Sequence, residues 1–281
     1  MQFVDSVFQL RETLKGWRSA GLTIAFVPTM GNLHAGHLKL VEEARENADK
    51  VVVSIFVNPM QFGVGEDFET YPRTELEDNQ KLRQTGADLL FQPTVTEVYA
   101  SDAKTVVTVS GLSDMHCGLS RPGHFSGVAT VVCKLFNMVQ PDIALFGTKD
   151  FQQLAVIKTM VRDLNIPVGV IGVETVREAS GLAMSSRNGY LTNEEKQIAP
   201  SLYQALCQAK AAVQMTDQPY SSIEQAAMTA LTEAGFQPVY FSICRAEDLS
   251  KATPTDNNLV ILAAAKLGKT RLIDNLAFSL N

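Results

Sequence analysis

The fold of this 281-residue chain is decided by one stretch, TIAFVPTMGNLHAGH, residues 23–37. Its first five residues form a short, largely apolar run that reads as a buried strand, and Pro28 closes that strand. A loop follows, and a helix is predicted from His37 to about Ala48. A buried strand that leads into a helix is typical of a parallel sheet covered by helices on both faces.

The same alternation continues through the first two-thirds of the chain. Further strands are predicted at residues 51–57, 88–91, 143–146 and 168–173, and further helices at residues 74–85, 127–139 and 151–164. This order predicts an α/β fold over residues 1–176, with a Rossmann-like, doubly wound parallel sheet. Because ligands of such sheets bind beyond the carboxyl ends of the strands, the loops at those ends are expected to carry the chemistry.

The pattern of the sequence changes from residue 177 onward. A helix start at residues 193–196 leads into an Ala- and Gln-rich helical region that ends near residue 234. Strands are predicted at residues 239–243 and 259–265, and a closing turn at residues 266–270. We therefore assign residues 177–281 to a smaller C-terminal α+β domain, and we expect this domain to act as a lid over the first.

Composition excludes several classes of protein. The chain has 24 basic and 30 acidic residues and a net charge of −6, whereas a general nucleic-acid binder usually carries a basic surplus. No segment offers the roughly 18 uninterrupted apolar residues of a membrane span, and the N-terminus lacks the pattern of a secretory signal. The cysteines lie far apart, at Cys117, Cys133, Cys207 and Cys244, without a C-x-x-C pair. We expect them to be free thiols in a cytoplasmic protein rather than zinc ligands.

His34-Ala35-Gly36-His37 is the sharpest chemical signal in the sequence. Gly36 allows a nucleotide to approach the backbone closely, and the start of a helix offers N–H groups to phosphate. Two imidazoles three residues apart share a helix face and are able to donate to phosphate oxygens as negative charge builds there. Two other interpretations stay open: a pair of helix-capping histidines, or a zinc site, which would need further ligands.

Two further loops have the residues of a phosphate site. The segment 181–188 is small, rich in hydroxyls and contains Arg187, which is suited to neutralising phosphate charge. At the end of another strand, Gly147 permits close approach and Lys149 is long enough to reach phosphate. Asp150 is placed to cap the next helix or to meet a ribose hydroxyl. Taken alone, each segment also fits an ordinary linker or a capped helix.

Other polar residues have less specific patterns. Asn58 and Gln61 follow a predicted strand and suit a substrate with hydroxyls and a carboxylate, although Asn-Pro also begins simple turns. We interpret His124 as structural, and Arg121 is a candidate for facing the site. The segment Gly268-Lys269-Thr270 matches the end of a P-loop, but the earlier glycine is replaced by Ala263 and no helix follows. A hairpin turn is predicted there instead.

Six motifs in this order resemble the pantothenate synthetase family, within the nucleotidyltransferase superfamily that has a His-x-Gly-His signature. They are Pro-Thr-Met-Gly-x-Leu-His-x-Gly-His at 28–37, Val-Asn-Pro-x-Gln-Phe at 57–62, Tyr-Pro-Arg-Thr at 71–74, Arg-Pro-Gly-His-Phe at 121–125, Phe-Gly-x-Lys-Asp at 146–150, and Ala-Met-Ser-Ser-Arg-Asn at 183–188. The last segment also resembles the superfamily's Lys-Met-Ser-Lys-Ser loop. The resemblance covers nearly all of the chain and is weakest between residues 205 and 240.

The resemblance implies an ATP-dependent ligase of coenzyme A biosynthesis. Pantoate and ATP would give pantoyl-adenylate and pyrophosphate, and β-alanine would then give pantothenate and AMP. It also implies Mg²⁺ and a homodimer, while charge and the lack of a long apolar run predict no nucleic-acid or membrane partner. A nucleotidyltransferase acting on a phosphate ester, and a nucleotide-binding regulator without catalysis, are the alternatives.

The resemblance also implies roles for individual residues. His37, His34, Lys149 and Arg187 would be catalytic. The nucleotide would be bound by Met30, Gly31, Asn32, Leu33, His34, Ala35, Gly36, His37, Gly147, Thr148, Lys149, Asp150, Val176, Met184, Ser185, Ser186 and Arg187. The substrate site would contain Asn58, Gln61 and Gln153, and no residue is assigned to a metal. Thr148 and the segment 178–180 depart from the family's usual residues, and both flank the implied nucleotide site.

Overall fold

The computed structural model describes residues 1–280 and divides them into two compact units. The first unit contains residues 1–148 and 156–174. The second unit contains the short segment Lys149–Ala155 and the described residues from Thr175 onward. Each unit has its own sheet and its own core, and each is described separately below.

The first unit is built on a six-stranded parallel sheet. Its strands are β1 (Gln2–Val4), β2 (Ile24–Thr29), β3 (Lys50–Ile55), β4 (Leu89–Phe91), β5 (Ile143–Gly147) and β6 (Gly169–Val173). The strand order is β1-β4-β3-β2-β5-β6, and every neighbouring pair is parallel. The winding direction therefore reverses between β2 and β5, where a doubly wound sheet opens a crevice for its ligand. The predicted Rossmann-like sheet is confirmed.

Helices flank this sheet. They are α1 (Val7–Ser19), α2 (Ala35–Asn47), α3 (Glu75–Thr85), α4 (Val95–Val98), α5 (Cys117–Ser120), α6 (His124–Val139) and α7 (Phe151–Asp163), of which residues 151–155 belong to the second unit. On one face of the sheet, side chains of β2 and β3 pack with Leu40 and Val41 of α2. On the other face, the ring of Phe136 contacts those of Phe26 and Phe146 edge-on. This covering of both faces is why β2 reads as a continuous apolar run.

The second unit pairs a three-stranded antiparallel sheet with three helices. These are α8 (Asn193–Ile198), α9 (Ser201–Met215), α10 (Tyr220–Glu233), β7 (Gln237–Arg245), β8 (Asn258–Leu267) and β9 (Thr270–Ser279), with β8 in the centre. A tight turn at Gly268, with φ 55°, joins β8 to β9. The predicted α+β fold and hairpin turn are both confirmed, and the P-loop interpretation is excluded because a strand follows.

The sequence pattern predicts no element over the first 22 residues or over β9. β1 has three residues, of which Val4 is buried, so its pattern is too short to identify from sequence. β9 carries Asp274 and Asn275 at buried positions, which breaks the alternation expected of a strand. Within residues 1–280, no helix is long and apolar enough to cross a membrane.

Gly127 of α6 supplies a testable constraint on the fold. A Cβ atom there would collide with the carbonyl group of Met60 and lie 2.8 Å from the Gln61 nitrogen. We expect Gly127→Ala to destabilise the protein by about 2 kcal/mol, since overpacking forces the backbone to shift. Gly16→Ala is the matched control, because nothing lies within 4 Å of its position in α1. Thermal unfolding should show Gly16→Ala to be stabilising, and equal effects of the two changes would contradict the close approach.

Candidate active site

The loop after β2 places two imidazole rings at the start of α2. His34 is the N-cap residue, with φ −124° and ψ 175°, and His37 is the third residue of the helix. Their ring centroids are 4.0 Å apart. The sequence predicted two histidines on one helix face. The structure shows instead that His34 is the N-cap residue, just outside the helix. The two rings therefore cap the helix and also lie close to each other.

A capping box defines which ring nitrogens carry protons. The backbone N–H of His34 donates to His37 Nδ1 at 3.3 Å, and the N–H of Gly36 donates to His34 Nδ1 at 3.1 Å. A nitrogen that accepts a hydrogen bond carries no proton, so each neutral ring is protonated at Nε2. Capping therefore uses Nδ1 of each ring, and Nε2 of each neutral ring is a hydrogen-bond donor.

A buried carboxylate shapes the turn that precedes the histidines. Gly31 and Asn32 both have positive φ, 82° and 51°. This conformation directs successive N–H groups to one side, where an anion can bind them. Asp78 of α3, 1% exposed, accepts from Asn32 N at 2.7 Å and from Leu33 N at 2.8 Å. Sequence reasoning missed Asp78, because it lies far away in the chain within a generally charged helix.

A second polar cluster follows β3. Asn58 is 1% exposed and donates to Gln61 Oε1 and to the carbonyl of Gly127, both at 3.1 Å. The Gln61 amide donates to the thioether sulfur of Met30 at 3.0 Å. Asn58 and Gln61, predicted for the substrate site, are therefore joined to each other and to the loop after β2.

Arg121 holds the main chain of Gln61 in place. Its guanidinium binds both carboxylate oxygens of Glu66 and donates to the Gln61 carbonyl at 3.3 Å. The ring of His124 bonds the same carbonyl through Nδ1 at 2.8 Å. Burial raises the pKa of Glu66, but the hydrogen bonds and charge of Arg121 outweigh that effect and lower the pKa to about 2. Arg121 and His124 thus both contact the candidate site through the main chain of Gln61.

The short segment that opens the second unit carries three predicted residues. The carbonyl of Lys149 accepts from Asn275 Nδ2 of β9 at 2.8 Å, which ties this segment to the antiparallel sheet. The Lys149 ammonium lies 3.8 Å from the Asp150 carboxylate. Gln153 lies in the first turn of α7 and is half-buried. Gly147 and Thr148 belong to the first unit, where Gly147 ends β5.

The loop predicted to bind phosphate, residues 181–188, lies in the second unit. Its shape is held by hydrogen bonds within the loop and to the residues just before it. Met184 N donates to the Val176 carbonyl at 2.9 Å. Arg187 N donates to Ser185 Oγ at 3.3 Å. Asn188 Nδ2 donates to Glu178 Oε1 at 3.0 Å, so the unusual residue Glu178 anchors the loop.

Arg177 joins this loop to the sheet of the second unit. It forms two hydrogen bonds with the buried carboxylate of Asp274, at 2.6 and 2.9 Å, and a third with the Gly181 carbonyl. Its guanidinium also stacks 3.5 Å from the ring centroid of Tyr203. Burial lowers the pKa of Arg177, but Asp274 outweighs it, so the pKa is raised and the charge is retained.

The sequence-predicted residues therefore form two groups. Within the first unit, Met30 of the loop after β2 contacts Gln61, which is in turn bonded to Asn58. Within the second unit, the segment at Lys149 is tied to the antiparallel sheet by Asn275, and Arg177, which precedes the loop at 184–187, is tied to it by Asp274. Among residues 1–280, no three His, Cys, Asp or Glu side chains cluster as metal ligands.

Comparison with known proteins gives a consistent result. Residues 2–277 match the family model described as pantoate-beta-alanine ligase. A pantothenate synthetase of Shewanella sp. strain ANA-3 is 59% identical over 274 residues, 96% of each chain. The crystal structure of pantothenate synthetase from Thermus thermophilus superposes with a TM-score of 0.91 at 45% identity, covering 98% of this chain and 99% of that one. A pantoate-beta-alanine ligase from Francisella tularensis, complexed with beta-gamma ATP and beta-alanine, gives 0.83 at 34% identity, covering 98% and 97%.

Acid should remove the contribution of Glu66 to stability. Its pKa is lowered from 4.5 to about 2 in the folded protein, so its ion pair stabilises the fold above 4.5 and loses that effect as the pH falls towards 2. We expect Glu66→Gln to destabilise the protein at neutral pH, with a difference from the parent that shrinks in acid. Urea unfolding across this range measures it. The exposed Glu69→Gln is the control, and a difference independent of pH would contradict the ion pair.

Proposed function

From the premise that the chain belongs to the pantoate-beta-alanine ligase family, we propose which of its residues carry the reaction. The protein is an ATP-dependent ligase that condenses pantoate with β-alanine. The proposal therefore concerns the intermediate, the residue roles, the metal and the assembly. One observation carries it: both histidines that follow β2 accept a backbone hydrogen bond at Nδ1, which leaves Nε2 of each neutral ring as its N–H donor.

We place a mixed anhydride between the two half-reactions. A carboxylate oxygen of pantoate attacks the α-phosphorus of ATP, and the bond from that phosphorus to the bridging oxygen breaks, releasing pyrophosphate. The amine of β-alanine then attacks the acyl carbon of pantoyl-adenylate. The bond from that carbon to the phosphate oxygen breaks, AMP leaves, and the nitrogen loses a proton as pantothenate forms.

The first step builds negative charge on the phosphates, and donors aimed at that charge lower the barrier. His34 and His37 supply two N–H donors whose direction is fixed by the capping box. The turn at 30–33 and the start of α2 would lie along the nucleotide, with Ala35 at the helix N-terminus and Gly36 allowing phosphate to approach the backbone closely. Gly147 and Thr148, at the end of the neighbouring strand β5, complete this part of the nucleotide site.

The second unit supplies the remaining cationic groups in this proposal. Lys149 and Arg187 neutralise phosphate charge, and Met184, Ser185 and Ser186 hold phosphate oxygens through hydroxyl and backbone groups. Asp150 would meet a ribose hydroxyl, and Val176 would contact adenine or ribose through its backbone. We propose that residues 177–281 act as a lid during the reaction, since an acyl-adenylate survives only where water is excluded.

Gln61, Asn58 and Gln153 are proposed to recognise pantoate, and Gln61 also β-alanine. Gln61 is the most direct candidate, since its NH₂ group donates to a thioether, a weak acceptor that a substrate oxygen would displace. Asn58 is buried and has protein partners on both sides of its amide, so it contributes mainly by holding Gln61.

Mg²⁺ is proposed as the ion that accompanies ATP. Magnesium is usually bound by one or two carboxylates together with substrate phosphates, and it does not need a cage of protein ligands. We assign no side chain to this ion, which the phosphates of the nucleotide would hold. When bound, the ion would neutralise phosphate charge.

Assembly and location are also proposals. We propose a homodimer on the basis of the family resemblance. We propose a cytoplasmic location because all four cysteines are free thiols, as expected of a reducing compartment.

The adenylate predicts a partial reaction that needs no β-alanine. With ATP, Mg²⁺ and pantoate alone, the protein should exchange labelled pyrophosphate into ATP, because the first step is reversible. The control omits pantoate and should show no exchange. Exchange that is independent of a carboxylate substrate would rule out the acyl-adenylate.

His37→Ala should slow adenylate formation by roughly 10²-fold, as expected for the loss of one preorganised donor. His37→Gln is the matched control for the capping role, since glutamine at the third helical position also accepts from the N-cap N–H. We expect Gln to restore the unfolding temperature without restoring the exchange rate. A normal rate in His37→Gln would mean that the ring acts through the cap alone.

A further inference from the structure

A continuous path of hydrogen bonds runs from Tyr99 through Asn58 to Gln61. The Tyr99 hydroxyl donates to Asn58 Oδ1 at 2.9 Å, and Asn58 Nδ2 donates to Gln61 Oε1 at 3.1 Å. Tyr99 is the residue that directly follows α4, well after Gln61 in the chain. It belongs to none of the six motifs in the sequence.

The surroundings of Asn58 allow one orientation of its amide. The Oδ1 atom accepts from Tyr99 and from the N–H of Met60 at 3.3 Å. The Nδ2 atom donates to Gln61 Oε1 and to the Gly127 carbonyl. A flipped amide would face an N–H with its own NH₂ and a carbonyl with its own oxygen, and it would leave buried groups without partners.

The orientation of Asn58 determines that of Gln61. Since Asn58 presents N–H to Gln61, the Gln61 oxygen points towards Asn58, and its NH₂ group points towards Met30 of the loop after β2. Gln61 is therefore a donor on the side of the nucleotide loop. Carboxylate and hydroxyl oxygens of a substrate are the acceptors that such a donor recognises.

Tyr99 is suited to enforce this orientation. Burial raises the pKa of its phenol to about 12, so the hydroxyl keeps its proton at neutral pH. The ring is held between Phe56, at 6.2 Å between centroids, and the ammonium of Lys134, 5.6 Å from the ring centroid. The hydroxyl thus has a fixed place from which to donate.

We propose that Tyr99 is a positioning residue for the first half-reaction, which acts through Asn58 to keep the NH₂ group of Gln61 directed at an oxygen of pantoate. The inference rests on the proposed assignment of Gln61 to pantoate. Tyr99 itself contacts neither the substrate nor the nucleotide in this account.

Tyr99→Phe tests the proposal, because it keeps the ring and its packing and removes only the donor. In pyrophosphate exchange, we expect the KM for pantoate to rise about tenfold and the KM for ATP to stay within about twofold, the scale of one lost hydrogen bond. Tyr220→Phe, which removes a phenol from α10 of the second unit, is the matched control and should leave both constants unchanged. An unchanged KM for pantoate in Tyr99→Phe would overturn the proposal.

A double-mutant cycle with Gln61→Ala separates an indirect role from a general loss of structure. If Tyr99 acts through Gln61, adding Tyr99→Phe to Gln61→Ala should have little further effect on the KM for pantoate. Multiplying effects of the two changes would overturn the proposal. A normal KM in Gln61→Ala would instead remove Gln61 from the pantoate site, and Tyr99 with it.

Gln61→Glu tests the direction of the amide directly. The variant keeps an acceptor for Asn58 and replaces the outward donor by an acceptor. We expect it to raise the KM for pantoate at least as much as Gln61→Ala does. A KM below that of Gln61→Ala would show that the outward group is not required as a donor, and would contradict the proposal.

Discussion

The site depends on one constraint: the N–H groups at the start of α2 need hydrogen-bond acceptors that the helix itself does not provide. The first N–H groups of a helix have no partner within it, and buried donors without acceptors are costly. Here the acceptors are Nδ1 atoms of His34 and His37. Because these nitrogens accept hydrogen bonds from backbone N–H groups, the proton of each neutral ring is confined to Nε2. The stability of one helix end thus determines the chemical character of two side chains.

Buried side chains around the loop after β2 are likewise fixed by the polar groups that they must pair with. Asp78 binds two N–H groups of a turn with positive φ, and Asn58 engages partners on both sides of its amide. Each is a buried polar side chain with its partners in place, and such groups specify one arrangement because any other leaves a donor or acceptor unpaired. Gly127 adds a steric condition, since only a residue without a Cβ lets α6 approach the turn at Met60.

Sequence reasoning identified what is encoded locally. The segment 23–37 contains its own strand, loop and helix start, so β2 and α2 were predicted from it, and β8 was found as an apolar run. The partners of the site are different. Asp78 lies 46 residues from Asn32, and Tyr99 lies 41 residues from Asn58. Asp78 is one acidic residue of a charged helix, and Tyr99 follows a helix of four residues. The local sequence around either residue does not indicate these contacts. They exist because the chain folds back so that β4 lies beside β3 and β3 lies beside β2 in the sheet.

The second unit shows why these distant partners matter for chemistry. Asp274 and Asn275 are neighbours on β9, and they bind Arg177 and the carbonyl of Lys149, which come from two separate segments. Asp274 is buried and fully engaged with a guanidinium, so moving either partner would leave a charge without compensation. The two segments are therefore fixed to one strand before any ligand arrives. In each unit the groups proposed to bind ATP lie on loops or at the start of a helix, and residues outside the motifs, such as Asp78 and Asp274, help to hold these segments in place. Preorganisation of this kind is what makes donors effective at a developing charge.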